Sequence, residues 1–236
     1  MTPEGLLATL QLADGLFPAG GFAHSLGLET YAQAGVVRDR ASLEALLRSQ
    51  LMASVGPTDA VAAACASRFA RRGDLAGCLD LDARLDAARW VPEFRLASLQ
   101  MGRQTLRVAL ATHPTPFLAA LAGAIDRRPP HDEGVSIAGH HAIVFGSILG
   151  GLDLEAETVA TAYLHAATVL VVNAALRLVP LGQVDGQGIL VSLRPLMARL
   201  AMQAASSSVD DLWSFTPGLE IAGVHHADLE GRLFRS

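Results

Sequence analysis

Residues 155–179 read EAETVATAYLHAATVLVVNAALRLV, and this stretch indicates the fold class. Its length corresponds to about 38 Å of helix at 1.5 Å per residue, and alanine and leucine favour that conformation. The segment 159–176 contains no Asp, Glu or Arg and approaches the length of a membrane span. Four polar residues within it are spaced to share one helix face: Thr161, His165, Thr168 and Asn173. The stretch therefore predicts a buried helix of a bundle in preference to a membrane span.

Helical periodicity continues on both sides of this stretch. Apolar residues recur every three to four positions in five other segments: residues 43–55, 61–69, 74–89, 96–110 and 117–125. Residues 136–149 are apolar around most of the helix circumference, which predicts a central helix. Gly56-Pro57-Thr58 predicts a break between the first two segments, and Pro195 predicts a kink or a new start in a helix over 187–205. Gly150-Gly151 is predicted to join two helices, and Pro129-Pro130 is the one plausible seam in the chain.

Strand patterns are nearly absent from the chain, because alternating runs of β-branched residues do not occur. The seam at Pro129-Pro130 is too short to isolate two cores. We therefore predict one all-α domain, residues 1–236, built as a helical bundle of about ten helices.

Both ends of the chain are predicted to face other molecules. Residues 18–29 read PAGGFAHSLGLE; the two glycines indicate a turn with unusual backbone angles, and Ser25 is a predicted helix cap. The tail 232–236 reads RLFRS, and its two apolar residues would have little use in a frayed, solvated segment, so we expect it to dock. Two segments are accordingly predicted to be partly mobile and partner-facing: residues 1–20 and 207–236.

The composition argues against several functions. A net charge of −5 disfavours binding to nucleic acid, which selects for basic patches. All 18 basic residues are arginine, so the chain has no Walker A lysine, no Schiff-base lysine and no Ser-x-x-Lys pair. Cys65 and Cys78 are most simply free thiols in a reducing compartment, and the first residues lack the pattern of a signal peptide. We expect a cytoplasmic protein that binds neither nucleic acid nor membrane.

One motif approximates a catalytic turn. Residues 23–27, AHSLG, are similar to the G-x-S-x-G turn of hydrolases, which requires a strand directly before it. Residues 17–21, FPAGG, cannot form a central strand. The cap role of Ser25 is the better interpretation, and we predict that the chain is not an enzyme.

Two histidine pairs are the metal-binding features of the sequence. Adjacent residues on a helix point about 100° apart, so a single pair does not chelate an ion well. For His140-His141 we expect one buried and one exposed ring. His225 and His226 are candidate nickel ligands only in combination with ligands from a partner, since imidazole suits nickel. The acidic pairs Asp80/Asp82 and Asp132/Glu133 are interpreted as solvated or capping charges.

Four sequence blocks, in order, resemble the UreF family of urease accessory proteins. They are LQLAD at 10–14 with FPAGGFAHSLGLE at 17–29, FRLASLQMGRQ at 94–104, NAALRLVPLGQ at 173–183 with Gln187, and LEIA at 219–222 with His225, His226 and the final RLFRS. The resemblance implies an all-α homodimer without catalytic activity or a cofactor of its own. It further implies binding to UreD (also called UreH) and recruitment of the GTPase UreG to apo-urease, with nickel passing from UreG into the urease active site.

The resemblance and the local patterns together name the candidate partner-binding residues. These are Gly20, Gly21, Phe22, Ser25, Glu29, Arg177, Gln183, Gln187, Arg232, Leu233, Phe234 and Arg235. One hypothesis is that Arg235 folds back to pair with Glu29. A second is that Arg177, Gln183 and Gln187 form one polar face beyond the long helix. The alternative function is an unrelated helical ligand-binding protein or enzyme, with an internal pocket around Thr161, His165 and Asn173.

Overall fold

The structure, a computed structural model, describes residues 1–127 and 139–236, and these residues contain α-helices and no β-strand. The α-helices are α1 (Pro3–Ala13), α2 (Leu28–Gln33), α3 (Arg40–Gln50), α4 (Val61–Arg72), α5 (Leu75–Ala88), α6 (Pro92–Thr112), α7 (Pro116–Arg127), α8 (His141–Gly151), α9 (Ala156–Leu178), α10 (Gln183–Ser206) and α11 (Pro217–His226). A π-helical segment, Leu51–Ala60, joins α3 to α4 without interruption, so the eleven α-helices of the described residues form ten separate units. The all-α bundle of about ten helices is confirmed.

The predicted break at Gly56-Pro57-Thr58 is wrong, because the chain passes through it as a π-helix. Proline lacks an N–H and crowds the carbonyl four residues earlier, and a wider helical turn accommodates both effects. The carbonyl oxygen of Ala53 accepts a hydrogen bond from the N–H of Phe215 at 2.8 Å, and that of Pro57 accepts one from Trp213 at 3.4 Å. The irregular turn therefore holds the segment that leads into α11.

Close packing of α8 against α4 forms the centre of the core. Every residue from Ala142 to Gly150 is buried, and so is most of α4. Gly146 lies against the backbone of Ala63, and Gly150 against the backbone of Ser67, with no space for a Cβ at either glycine. The prediction that Gly150-Gly151 joins two helices is wrong, since α8 extends to Gly151 in order to use this contact.

Helix α9 lies among other helices, as predicted for a bundle. By length and composition it could cross a membrane, yet 56% of its most apolar window is buried inside the protein. Thr168 is 1% exposed and donates a hydrogen bond to the Leu164 carbonyl at 2.7 Å, whereas Thr161, His165 and Asn173 are exposed. The predicted polar face is therefore divided between core and surface.

The remaining organisational predictions have different outcomes. Helix α10 continues through Pro195, so the predicted new start there is wrong. Three predicted features lie outside the described residues: Pro129-Pro130, Asp132/Glu133 and the start of the segment at Ser136. The mobility predicted for residues 1–20 and 207–236 stays a prediction.

Candidate functional site

The glycine turn adopts the unusual backbone angles expected from its sequence. Gly20 and Gly27 have φ of 84° and 85°, in the left-handed region that glycine enters without steric cost. Leu26 also has a positive φ, 53°, which is uncommon for a residue with a side chain. Gly27 occupies the N-cap position of α2, so the predicted position of the cap is wrong, yet the Ser25 hydroxyl oxygen accepts a hydrogen bond from the N–H of Glu29 in the first turn at 3.3 Å. The same hydroxyl donates a hydrogen bond to the Ser236 carbonyl oxygen at 2.7 Å.

The tail 232–236 docks on this turn through main-chain hydrogen bonds. The Ser236 carbonyl oxygen also accepts from the N–H groups of Ser25 and Leu26, at 2.6 and 2.9 Å. The N–H of Arg235 donates to the Ala23 carbonyl at 2.8 Å, and the Ser236 hydroxyl lies 2.8 Å from His24 Nδ1. We name residues 20–29 and 232–236 together the tail clasp. Its docking agrees with the expectation from Leu233 and Phe234.

Glu29 is the buried acceptor in the clasp. Its side chain accepts hydrogen bonds from the N–H of Leu233 at 2.7 Å and from the N–H of Phe234 at 3.0 Å, while the residue is only 1% exposed. The predicted Arg235–Glu29 pair is wrong, because Arg235 is exposed and main-chain donors of the neighbouring residues occupy the carboxylate. The tail returns to Glu29 as expected, but through its backbone.

A buried histidine links Glu29 to a second carboxylate. His226, fully buried at the end of α11, places Nε2 3.0 Å from Glu29 Oε2 and Nδ1 2.6 Å from Glu93 Oε2. Each ring nitrogen therefore meets a carboxylate oxygen, one from α2 and one from α6. Arg232 Nη1 also lies 3.0 Å from Glu93 Oε1.

This role of His226 separates it from its neighbour. His225 is exposed, as expected for adjacent residues that point about 100° apart on a helix. Within residues 1–127 and 139–236, no group of three or more His, Cys, Asp or Glu side chains is arranged to hold a metal ion. Nickel binding by His225 and His226 with a partner's ligands stays a prediction.

Arg177 joins both halves of the clasp at the surface. Its guanidinium carbon lies 4.3 Å from the ring centre of Phe22 and 4.4 Å from that of Phe234, a cation–π arrangement on two rings. Nη1 also donates to the Phe22 carbonyl at 3.2 Å. Phe22 and Leu233 are 73% and 51% exposed, so both halves of the clasp present apolar surface.

The polar face predicted for Arg177, Gln183 and Gln187 stays a prediction. Gln183 and Gln187 line a groove between α1, α9 and α10, together with Leu10 and His165, whereas Arg177 belongs to the clasp. Arg177 and Gln183 lie on different helices, α9 and α10, and residues 179–182 turn the chain between them. Sequence spacing across such a turn does not fix a common direction.

Comparison with known proteins agrees with the sequence blocks. The family model of UreF matches residues 37–194. The urease accessory protein UreF of Bacillus sp. (strain TB-90) is 32% identical over 231 residues, covering 98% of this chain and 99% of the relative. The chain belongs to the UreF family of urease accessory proteins. The UreF of Actinobacillus pleuropneumoniae serotype 3 (strain JL03) is 34% identical over 230 residues, covering 97% of this chain and 98% of that relative.

Membership of the UreF family decides between the functions left open by the sequence. The alternative of an unrelated helical protein is wrong. His165 and Asn173 line the groove beside α10, whereas Thr161 lies on the surface and does not line it.

Sequence reasoning missed Glu93 and the structural role of His226. Glu93 is a first-turn acid of α6, a position that commonly complements the helix dipole, so nothing local signals its long-range partners. His226 was selected for its chemistry as a ligand, and the same two nitrogens instead meet two carboxylates of the clasp.

Proposed function

We propose that this UreF-family chain is a non-enzymatic scaffold and chaperone of urease maturation. It binds UreD (UreH) and recruits the GTPase UreG to apo-urease, so that nickel is inserted into the urease active site. The scaffold holds no cofactor of its own, and nickel is the cargo of its partners. It acts in the cytoplasm, without contact to nucleic acid or membrane.

The observation that carries this proposal is the surface of the tail clasp. Both candidate partner-facing ends meet there around Arg177, and Phe22 and Leu233 stay exposed beside it. Protein interfaces favour exposed aromatic and arginine side chains, which combine apolar area with directional contacts. We therefore place the UreD-binding site on this surface.

We further propose that the chain forms a homodimer. Helix α1 exposes Leu7 and Leu10 at 68% and 58%, and Val184 at the start of α10 is 84% exposed. Leu10 and the neighbour of Val184, Gln183, line the same groove, so these apolar residues border a continuous surface. Exposed apolar patches of this kind mark interaction sites in folded proteins.

The scaffold proposal is tested by capture of UreD. Arg177→Glu places a carboxylate between two phenyl rings and removes the cation that joins the clasp, so we expect affinity-tagged variant protein to retain less than about a tenth of the UreD bound by wild type. The matched control is Arg199→Glu, which makes the same charge change at an exposed position of α10.

Two results would contradict the scaffold proposal. One is equal retention of UreD by Arg177→Glu and wild type, with both proteins folded by circular dichroism. The other is full urease activation, on addition of nickel, in cells whose copy of this chain is deleted.

A further inference from the structure

A cavity of about 140 Å³ lies beneath the tail clasp. Phe22 and Phe234 of the clasp contribute to its wall, and most of the remaining lining is apolar. For scale, an engineered apolar cavity of about 150 Å³ in another protein binds benzene. The cavity therefore matches a molecule with the size of one aromatic ring.

One part of the cavity wall is polar. Asp59, on the π-helical segment, forms an ion pair with Arg89 at the end of α5. Tyr163 of α9, 6% exposed, also lines the cavity, and its ring centre lies 5.5 Å from that of His141. The expectation that one ring of His140-His141 is exposed is wrong, since His140 is fully buried and His141 is partly buried in this wall.

Several polar atoms in this wall have no hydrogen-bond partner among the described residues. Arg89 Nε is buried without an acceptor. The main-chain N–H of His141 donates a hydrogen bond to the Ser98 hydroxyl oxygen at 3.3 Å. The ring nitrogens of His141 have no hydrogen-bond partner in residues 1–127 and 139–236. The Tyr163 hydroxyl likewise has no hydrogen-bond partner among the described residues, although the charges of Asp59 and Arg89 act on it. The His141 ring and the Tyr163 hydroxyl line the cavity, so a ligand whose head group pairs with them gains hydrogen bonds that the described residues do not supply.

The charges of the lining balance one another. Asp14 and Asp59 are the acidic residues, and Arg89 and Arg177 are the cations. Burial, assisted by Arg235, lowers the pKa of His24 to about 4, and burial, assisted by Arg89, lowers the pKa of His141 to about 4. Both rings are therefore neutral at pH 7. An anion placed beside Arg89 would be repelled by Asp59, and a cation placed beside Asp59 would be repelled by Arg89. A charged ligand would therefore lose its hydration without gaining a net electrostatic attraction.

We propose that this cavity is a binding site for a small uncharged molecule, with an apolar body of one aromatic ring and a head group that donates and accepts hydrogen bonds. The simplest example is a phenol. The body occupies the apolar part of the cavity, and the head group lies against Arg89, Tyr163 and His141. Arg89 offers a donor, the neutral imidazole an acceptor, and the tyrosine hydroxyl either. This site goes beyond the proposed scaffold role and does not depend on it.

The test is ligand-observed NMR titration of the full chain with four probes: phenol, toluene, benzoate and benzylamine. Phenol should saturate one site with a Kd of about 1 mM or tighter. Toluene should bind about three- to tenfold more weakly, since it lacks the hydrogen-bonding head, and the two charged probes should not saturate. Nuclear Overhauser contacts should join the phenol ring to Met101 and Leu170, which line the cavity.

Two tyrosine variants provide a matched comparison. Tyr163→Phe removes only the hydroxyl in the cavity and should weaken phenol about three- to tenfold while leaving toluene unchanged. Tyr31→Phe, at the other tyrosine of the chain, should leave both Kd values unchanged, because Tyr31 does not line the cavity.

Three results would overturn the assignment. The first is that phenol fails to saturate folded wild-type protein. The second is that benzoate or benzylamine binds as tightly as phenol, which would contradict the uncharged class. The third is that contacts of bound phenol to Met101 and Leu170 are missing; this measurement uses wild-type protein and does not depend on how the variants fold.

Discussion

Residues of the tail clasp form hydrogen bonds with partners that are very distant in the sequence. The Glu29 carboxylate accepts from the N–H of Leu233, 204 residues later in the chain, and from His226, 197 residues later. Its neighbour Ser25 similarly meets Ser236. A buried carboxylate is tolerated only when its acceptors are occupied by donors, so the docked tail and the buried glutamate depend on each other.

The Glu29→Gln variant tests this dependence. Glutamine removes the negative charge and replaces one acceptor oxygen by an NH₂ group. That group would face another donor, either a main-chain N–H of Leu233 or Phe234 or the His226 ring, so the free energy of unfolding should fall by about 2–4 kcal/mol. Urea denaturation measures this change. The control Glu157→Gln, at an exposed position of α9, should stay within about 0.5 kcal/mol of wild type. A similarly small change for Glu29→Gln would contradict the assigned role.

Buried histidines make the stability of the protein dependent on pH. Burial, with Arg89 nearby, lowers the pKa of His141 from 6.5 to about 4 in the folded state. The unfolded chain therefore takes up the proton first as the pH falls, so this stability is present above pH 6.5 and is lost towards pH 4. Between pH 7 and pH 5 the loss should be about 1–2 kcal/mol for this residue, measured by urea denaturation.

The His141→Phe variant isolates this contribution. Phenylalanine keeps the ring that packs on Phe145 and Tyr163, so the variant should lose about 1–2 kcal/mol less than wild type between the two pH values. His225→Phe, at an exposed position, should retain the wild-type loss. An identical pH dependence in wild type and His141→Phe would contradict the argument.

At the scale of elements, the spacing between α4 and α8 is set by small residues. Gly146 and Gly150 of α8 face Ala63 and Ser67 of α4 one helical turn apart, and the two backbones meet there. This contact keeps α8 buried along almost its whole length, and α8 in turn supplies His140 and His141 from its first turn. His140 is fixed by hydrogen-bond contacts to Ser98 and Asp86, at 3.0 and 3.1 Å.

Gly146→Ala is the direct test of this packing. The added methyl group would overlap the Ala63 carbonyl, so the helices must separate, and the free energy of unfolding should fall by about 2–4 kcal/mol in urea denaturation. Gly151→Ala is the matched control in the same helix: its Cβ would lie 3.6 Å from Thr115, an ordinary contact. Its stability should change by about 1 kcal/mol or less, and equal losses in the two variants would reject the close-packing explanation.

At the scale of the whole molecule, several apolar residues lie on the surface without a partner in the single chain. Helix α1 exposes leucines, Val184 is 84% exposed, and Trp213 and Phe215 are 53% and 73% exposed. A protein with 51% hydrophobic residues cannot bury them all in one core of this size, so surfaces for association are a natural use of the remainder. The groove between α1, α9 and α10 is where we place the second copy.

Sedimentation equilibrium tests the homodimer. Wild-type protein should have twice the chain mass of 24.7 kDa, and Leu10→Glu should be monomeric, because a charge on the shared face would have to lose its hydration. Val36→Glu is the control at a position with the same 58% exposure outside this groove. Monomeric wild-type protein would contradict the proposal, and a dimeric Leu10→Glu variant would reject this location.

The sequence alone determined the fold class, the approximate number of helices and the UreF resemblance. Helical periodicity is a local property, since apolar residues three to four positions apart share a face wherever the helix packs. The docking of residues 232–236 was likewise predicted from the two apolar residues of the tail, Leu233 and Phe234.

Only the tertiary structure decided which groups meet. Glu29 binds main-chain N–H groups and His226 instead of Arg235, Arg177 stacks on two rings apart from Gln183, and residues 51–60 form a π-helix where a break was expected. Each outcome depends on contacts between segments remote in sequence, and local pattern carries no information about distance or direction between them. A charged side chain has many compatible partners, and packing selects one of them.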